Sequence, residues 1–210
     1  MKYLASQKGF TLVEMIVSLA IFTVVAVVAV GALLKITDAN RKSQTLKTAI
    51  NNLNFALESM SREMRVGANY AVGANINEVG FNALNDVIKE EGSISDDSWV
   101  VAFNTSKTNT FTSGPLDGEK CNLIHAYRYD YPAKTLHKAE QTECGEDLSD
   151  LTFHPVISAD VKITHSILNI VSSPSAKPKA FFWFMGYTGE VAREKTEFER
   201  QTTVSQRIAT

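Results

Sequence analysis

From Met15 to Leu34 this chain carries no charged side chain and no proline. As a helix rising ~1.5 Å per residue, those 20 residues cover roughly 30 Å, the thickness of a membrane's hydrocarbon core. One carboxylate, Glu14, stands immediately before the run. An ionisable group at the edge of a membrane helix is costly and is usually kept for a purpose. Three plainer uses of the segment exist. A secretory signal would be cut after Ala29-Val30-Gly31, before Ala32, but the run is long for a signal core and has Glu14 at its head. An unprocessed anchor fits the hydropathy equally well. A buried core helix with no polar face would need a far larger protein around it.

The residues just ahead of the run decide among these. A short leader with Lys2 and Lys8 ends in Gly9, followed by Phe10-Thr11-Leu12-Val13-Glu14. This stretch resembles the processing site of type IV pilins and pseudopilins. The resemblance implies that a prepilin peptidase cuts after Gly9 and N-methylates Phe10. It also implies that Glu14, fifth in the mature chain, pairs with a neighbouring subunit's terminal amine during assembly. The plainer alternative for Glu14 is a solvated position at headgroup depth. Implied partners are other pilin or pseudopilin subunits, the peptidase, an inner-membrane assembly platform and membrane lipid. Basic residues do not settle orientation, because Lys2 and Lys8 before the span face Lys35, Arg41 and Lys42 after it. The resemblance does: it puts the leader in the cytoplasm and the bulk of the chain outside, in a periplasmic or extracellular, filament-associated domain.

Beyond Leu34 the helix is expected to continue. Ile36, Ala39, Ser43, Leu46, Ile50, Leu53, Leu57, Met60 and Met64 recur at steps of three and four, one apolar stripe. Other faces carry Lys35, Arg41, Lys42, Lys47, Glu58, Arg62, Glu63 and Arg65. Gly67 suits a C-cap, with Arg62 and Arg65 at the negative helix end. Ala39 and Ser43 make poor knobs, so the stripe is expected to pack under the chain's own sheet only from Leu46 onward. Gly31 is a weak point, since glycine costs ~1 kcal/mol relative to alanine inside a helix; many type IV pilins have proline there. The segment Leu57–Arg65 is similar to the end of the long helix in J-type minor pseudopilins and W-type minor pilins. With the size of the soluble part, this implies a minor, tip or priming subunit.

The rest reads as β structure. Candidate strands are Trp99–Asn104, Thr108–Thr112, Leu123–Tyr131, Lys134–Lys138, Leu151–Val156, Lys162–Val171 and Ala180–Gly186. A short apolar element is expected near Val79–Ile88 and a loop over Ser172–Pro178. Glu190–Arg200 is charged and helix-compatible, with a short edge strand over Gln201–Ser205. Phe181-Phe182-Trp183-Phe184 is too apolar for an edge and should be a central strand on the helix. The expected fold is α+β and pilin-like: one long helix packed on an antiparallel sheet. The expected divisions are a leader over 1–9, a membrane and assembly helix over 10–34, its amphipathic continuation over 35–66 and an exported domain over 67–210.

Cys121 and Cys144 form an even pair in a domain that the resemblance places outside the membrane, where bridging is commoner than two free thiols. The alternative is two separate buried thiols. A bridge would tie the base of a hairpin turning at Pro132.

Catalytic motifs are missing. His125, His137, His154 and His165 are scattered without metal-ligand spacing, so no metal and no cofactor are expected. Asp117, Glu119, Glu143, Glu146, Asp147 and Asp150 gather in one region. Some pseudopilins bind calcium through such loops, but this spacing matches no ligand pattern, and a solvated acidic loop is expected. Net charge is −2; removing Met1–Gly9 takes Lys2 and Lys8, leaving 19 basic against 23 acidic side chains, or −4. Nucleic-acid binding is therefore not supported. A structural filament subunit, not an enzyme, is the expectation. A membrane-tethered module binding DNA, glycan or a secreted protein is the alternative.

Overall fold

The computed structural model describes residues 9–79, 92–95, 98–112, 116–146, 148–173, 176–189 and 195–207. The chain forms two units, Met1–Gln44 and Thr45–Thr210.

The first unit holds the opening of helix α1 (Leu12–Val66). Thr11 starts it: its hydroxyl oxygen accepts the Glu14 N–H at 3.2 Å, the N-cap half of a capping box. Glu14 in the first turn suits the positive helix end. The Thr23 hydroxyl donates to the Leu19 carbonyl at 2.7 Å, so it needs no partner outside the helix. Large apolar side chains from Leu12 to Leu34 are 51–76% exposed. The most apolar stretch has a mean hydropathy of 2.8 and none of it is buried, so this is a helix long and apolar enough to cross a membrane.

In the second unit the rest of α1 turns Ala49, Leu53, Ala56, Leu57, Met60 and Met64 into the core. Steps of three and four keep these on one face, as the sequence predicts from Leu46 onward. Gly67 ends the helix, its N–H bonded to the carbonyls of Glu63 (2.9 Å) and Met64 (3.1 Å). Its lack of a side chain is required by packing: a Cβ would lie 2.5 Å from Phe103 Cδ2. The Tyr70 hydroxyl donates to the Met64 carbonyl, and the Arg207 N–H to that of Arg65.

One antiparallel sheet is expected, and there are two. The first has the order β1 (Ala68–Gly73), β3 (Trp99–Thr110), β4 (Lys120–Asp130), β5 (Thr135–Glu140), β6 (His154–Pro155). The second has the order β2 (Gly92–Ser95), β7 (Val161–Ser173), β8 (Ala176–Thr188), β9 (Thr196–Ser205). All described pairings are antiparallel. Residues of both sheets join the helix in one core centred on Trp99, Phe103, Tyr127, Tyr129, Phe182 and Phe184. Cross-sheet bonds hold them: Trp99 Nε1 donates to Ser166 Oγ at 2.8 Å, and the Tyr129 hydroxyl to the Ile163 carbonyl at 3.0 Å. As expected, Phe181–Phe184 lies in a central strand, β8, between β7 and β9.

The first sheet is buried on both faces. Ala71, Val100, Ala102, Ile124, Ala126 and Ala139 form a second core under Val79, Leu151, Ile76 and Phe153. Hence Trp99-Val100-Val101-Ala102-Phe103 is apolar at every position. Several expected elements change. The two strands at 99–112 are one, β3, with a bulge between Asn104 and Thr108. Leu151–Val156 reduces to the two residues of β6. Most of the expected Ser172–Pro178 loop is strand instead, since β7 and β8 still pair at Ser173 and Ala176. Residues 196–200 are strand, not helix, because β9 pairs with β8 from Thr196 to Ser205. The leader at 1–8, residues 80–88 of the expected apolar element, and 190–194 lie outside the described residues.

Candidate functional site

Two places in the chain concentrate functional chemistry. At the N-terminus, Gly9 and Phe10 precede the first turn of α1. Phe10 is 78% exposed, and a Cβ on Gly9 would meet nothing within 4 Å. Glu14 is exposed, held in register by its backbone bond to Thr11.

The second place is a polar cluster between α1 and the β4–β5 hairpin. Glu63, expected on a solvent face, turns toward the sheet instead and is three-quarters buried. Its Oε2 accepts from the Tyr127 hydroxyl at 3.0 Å and faces His125 Nδ1 at 2.9 Å, while Oε1 accepts from Lys138 Nζ at 2.5 Å. Lys138 Nζ also reaches Glu140 Oε1 at 2.5 Å, and His125 Nε2 lies 3.7 Å from Glu140 Oε2. Burial works to raise the Glu63 carboxyl, but hydrogen bonds from His125 and Lys138 and their charges outweigh it and hold it at about 2. Burial likewise opposes the Lys138 charge, and its bonds to Glu140 and Glu63 more than offset this, raising it. The bond from Lys138 lowers Glu140. Burial and the Glu63 charge push the Tyr127 hydroxyl up, so it stays a donor.

Sequence reasoning treats these positions as unrelated, because strand pairing and helix packing join residues 62 to 75 positions apart. The one local signal is that Glu63 flanks Met60 and Met64, at the border of the buried stripe. Glu63, His125 and Glu140 each offer a ligand atom within 4.8 Å of the others, a set that the scattered histidine spacing conceals. The other histidines stay apart: His154 and His165 are exposed, and His137, half-buried, is lowered by burial and the Arg128 charge. In the acidic region Glu146 Oε2 accepts from the Thr142 N–H at 3.0 Å; Asp147 lies outside the described residues.

The cysteines are joined. Cys121 and Cys144 form a disulfide with Cα atoms 6.0 Å apart, within the bridging range. It closes the base of the β4–β5 hairpin, whose turn runs through Pro132.

Comparison with known proteins bears on the N-terminal place. Residues 4–30 match the family described as the prokaryotic N-terminal methylation motif. No curated protein and no solved structure matches the chain. The fold defines the class first: a long helix with an exposed apolar half, leading into antiparallel sheets. With the methylation motif at its head, this arrangement is similar to that of type IV pilins and pseudopilins.

Proposed function

We propose that the chain is a minor, tip or priming subunit of a type IV pilus-like or type II secretion pseudopilus filament, with a structural and not an enzymatic role. A prepilin peptidase removes the leader, residues 1–9, and methylates the Phe10 amine. Residues 10–34 anchor the chain in the inner membrane as a single span, residues 35–66 continue the helix, and residues 67–210 are exported. Glu14 pairs with the terminal amine of a neighbouring subunit. An ion pair in a low-dielectric site is favourable only with both partners well placed, so pairing selects the correct stagger between subunits. The methylation-motif match at residues 4–30 carries this reading. The Cys121–Cys144 bridge supports an oxidising compartment for the domain.

The test is the mature N-terminus. Intact-mass and N-terminal analysis of the membrane form should find methylated Phe10 first; an intact Met1, or a start at Ala32, would overturn the proposal. Glu14→Val should leave membrane insertion intact, because it removes a charge from the helix, yet impair incorporation into filaments. Normal incorporation would remove the pairing role.

A further inference from the structure

The two sheets differ in what their outer faces carry. That of the first is sealed by Val79, Leu151, Ile76 and Phe153 of the same chain. In β8 of the second sheet, Ala180, Phe182 and Phe184 point into the core. Phe181, Trp183 and Met185 therefore point the other way, on the face that does not pack on α1, and all three are half-buried. An antiparallel sheet with one solvated face ordinarily puts polar residues there. This one puts three large apolar side chains in a row along its central strand.

Each member of the row has polar neighbours at its own level. Phe181 lies between Asn169 of β7 and Thr203 of β9, Trp183 between Ile167 and Gln201, and Met185 between His165 and Glu199. The pairing of β8 with β9 is regular from end to end, so the three levels stay in line. Trp183 is also held in place. Its Nε1 donates to Glu199 Oε1 at 2.7 Å, one level along the neighbouring strand, which leans the indole over β9 and leaves Oε2 to accept from a ligand. At the next level Lys195 Nζ stands 4.1 Å over the Tyr187 ring and closes the row.

We infer that this row is a binding platform for a neutral, β-1,4-linked oligosaccharide. Size decides against a protein partner. Phe181 to Met185 spans about 14 Å at ~3.4 Å per residue, and three strands at ~4.8 Å each cover about 14 Å, so the patch is roughly 200 Å², about a quarter of the ~800 Å² each partner gives to a stable interface. Charge decides against a nucleic acid, whose affinity comes from cations set against its phosphates, because the β9 side of the row carries Glu197 and Glu199. A pyranose chain meets both conditions. Its C–H faces are apolar and stack on aromatic rings, while its hydroxyls donate to and accept from amides, hydroxyls and carboxylates of the kind that flank the row. β-1,4 links keep such a chain straight and flat, as three levels in line require, whereas α-1,4 links curl it. The inference stands apart from processing at Gly9: it gives the second unit a ligand, not a place in a filament.

The experiment uses the full chain in a detergent without a sugar headgroup, since a maltoside would compete. Of the two tryptophans, Trp99 is fully buried and Trp183 lies on the row, so tryptophan emission reads the site. Cellohexaose and chitohexaose are titrated, and at least one should shift the emission saturably with Kd of about 0.1–1 mM. Maltohexaose, the curled control, should bind about tenfold more weakly or worse. By calorimetry, Trp183→Ala should weaken the better ligand by about tenfold or more, and Trp183→Phe, which keeps a ring and the fold, should stay within about threefold of wild type. The platform is overturned by no saturable response to either straight oligosaccharide, by undiminished binding in Trp183→Ala, or by Trp183→Phe binding as weakly as Trp183→Ala. Equal or tighter binding of maltohexaose or of a single-stranded DNA oligonucleotide, or self-association that Trp183→Ala abolishes, would overturn the assigned ligand.

Discussion

Replacing Glu63 by glutamine tests how the helix is held to the first sheet. The substitution keeps the shape of the side chain and removes its charge, turning one oxygen into an NH2 that faces the Lys138 ammonium. In the folded protein the Glu63 carboxyl is held at about 2 against an ordinary 4.5, with only 25% of the side chain exposed. At 1.36 kcal/mol per unit, that difference is worth about 3 kcal/mol in favour of the ionised form. Counting bonds gives a similar answer. Three charge-assisted contacts are lost or weakened, each worth ~1.5–3 kcal/mol in isolation, but Lys138 keeps Glu140 and the contacts are strongly coupled. The expected loss is therefore roughly 2–3 kcal/mol, or about 5–10 °C in Tm for a domain of this size.

Urea unfolding of the full chain in detergent, followed by tryptophan fluorescence, reads this directly, because Trp99 is fully buried between helix and sheets. The pH dependence supplies a second readout with a definite sign. A carboxyl depressed on folding stabilises above its unfolded value of 4.5 and loses that contribution as pH falls toward 2. Lys138, raised on folding, stabilises below 10.5 and loses its contribution as pH climbs through the folded value. Wild type should thus lose stability steeply below pH ~4.5, and Glu63→Gln should be flatter there. A loss under ~0.5 kcal/mol, or parallel acid profiles, would refute the assignment of Glu63 as the group that ties α1 to the hairpin.

Two further perturbations probe the second unit. Replacing both Cys121 and Cys144 by serine should cost roughly 2–4 kcal/mol by releasing a loop of 23 residues, and the native protein should show no free thiol until reduced. Titratable thiols without reductant would contradict the bridge. Gly186→Ala should be worse, because its Cβ would lie 2.1 Å from the Lys162 carbonyl oxygen and 2.9 Å from Phe198, forcing β7, β8 and β9 apart. A loss of about 3 kcal/mol or more is expected by urea unfolding, and a change below ~1 kcal/mol would show that the strands yield cheaply.

Helix α1 was legible in the sequence because two strong patterns meet there: an uncharged run too long for most soluble folds, then a stripe of three- and four-residue steps. Its end at Gly67 was legible too, though the steric demand of Phe103 was not. The second sheet was harder. Glu197, Glu199 and Arg200 suggest a helix, yet Glu197, Glu199, Gln201, Thr203 and Ser205 alternate with the inward Phe198, Thr202 and Val204, and that period of two was the decisive signal. The covering of the first sheet's outer face could not be foreseen, since Val79, Leu151 and Phe153 come from irregular segments with no periodicity of their own. The Glu63 cluster was hidden for the same kind of reason: helix periodicity classes a glutamate as outward, and only β4–β5 pairing brings His125, Lys138 and Glu140 to it.

The same physics narrows what can govern assembly on the proposed reading. Moving an apolar helix from lipid into a bundle of like helices gains little hydrophobic free energy, because lipid tails are as apolar as leucine. Large side chains from Leu12 to Leu34, all more than half exposed, therefore favour either environment over water without choosing between them. The polar groups of the span must do the choosing. Thr23 already spends its hydroxyl proton on Leu19, and Ser18 is small. Glu14 remains as the one ionisable side chain of the segment from Phe10 to Leu34. Its energy differs most between a headgroup layer, where water solvates it, and a filament interior, where only an amine can. The discriminating term therefore sits at the first turn of the helix, beside the residue that processing would expose.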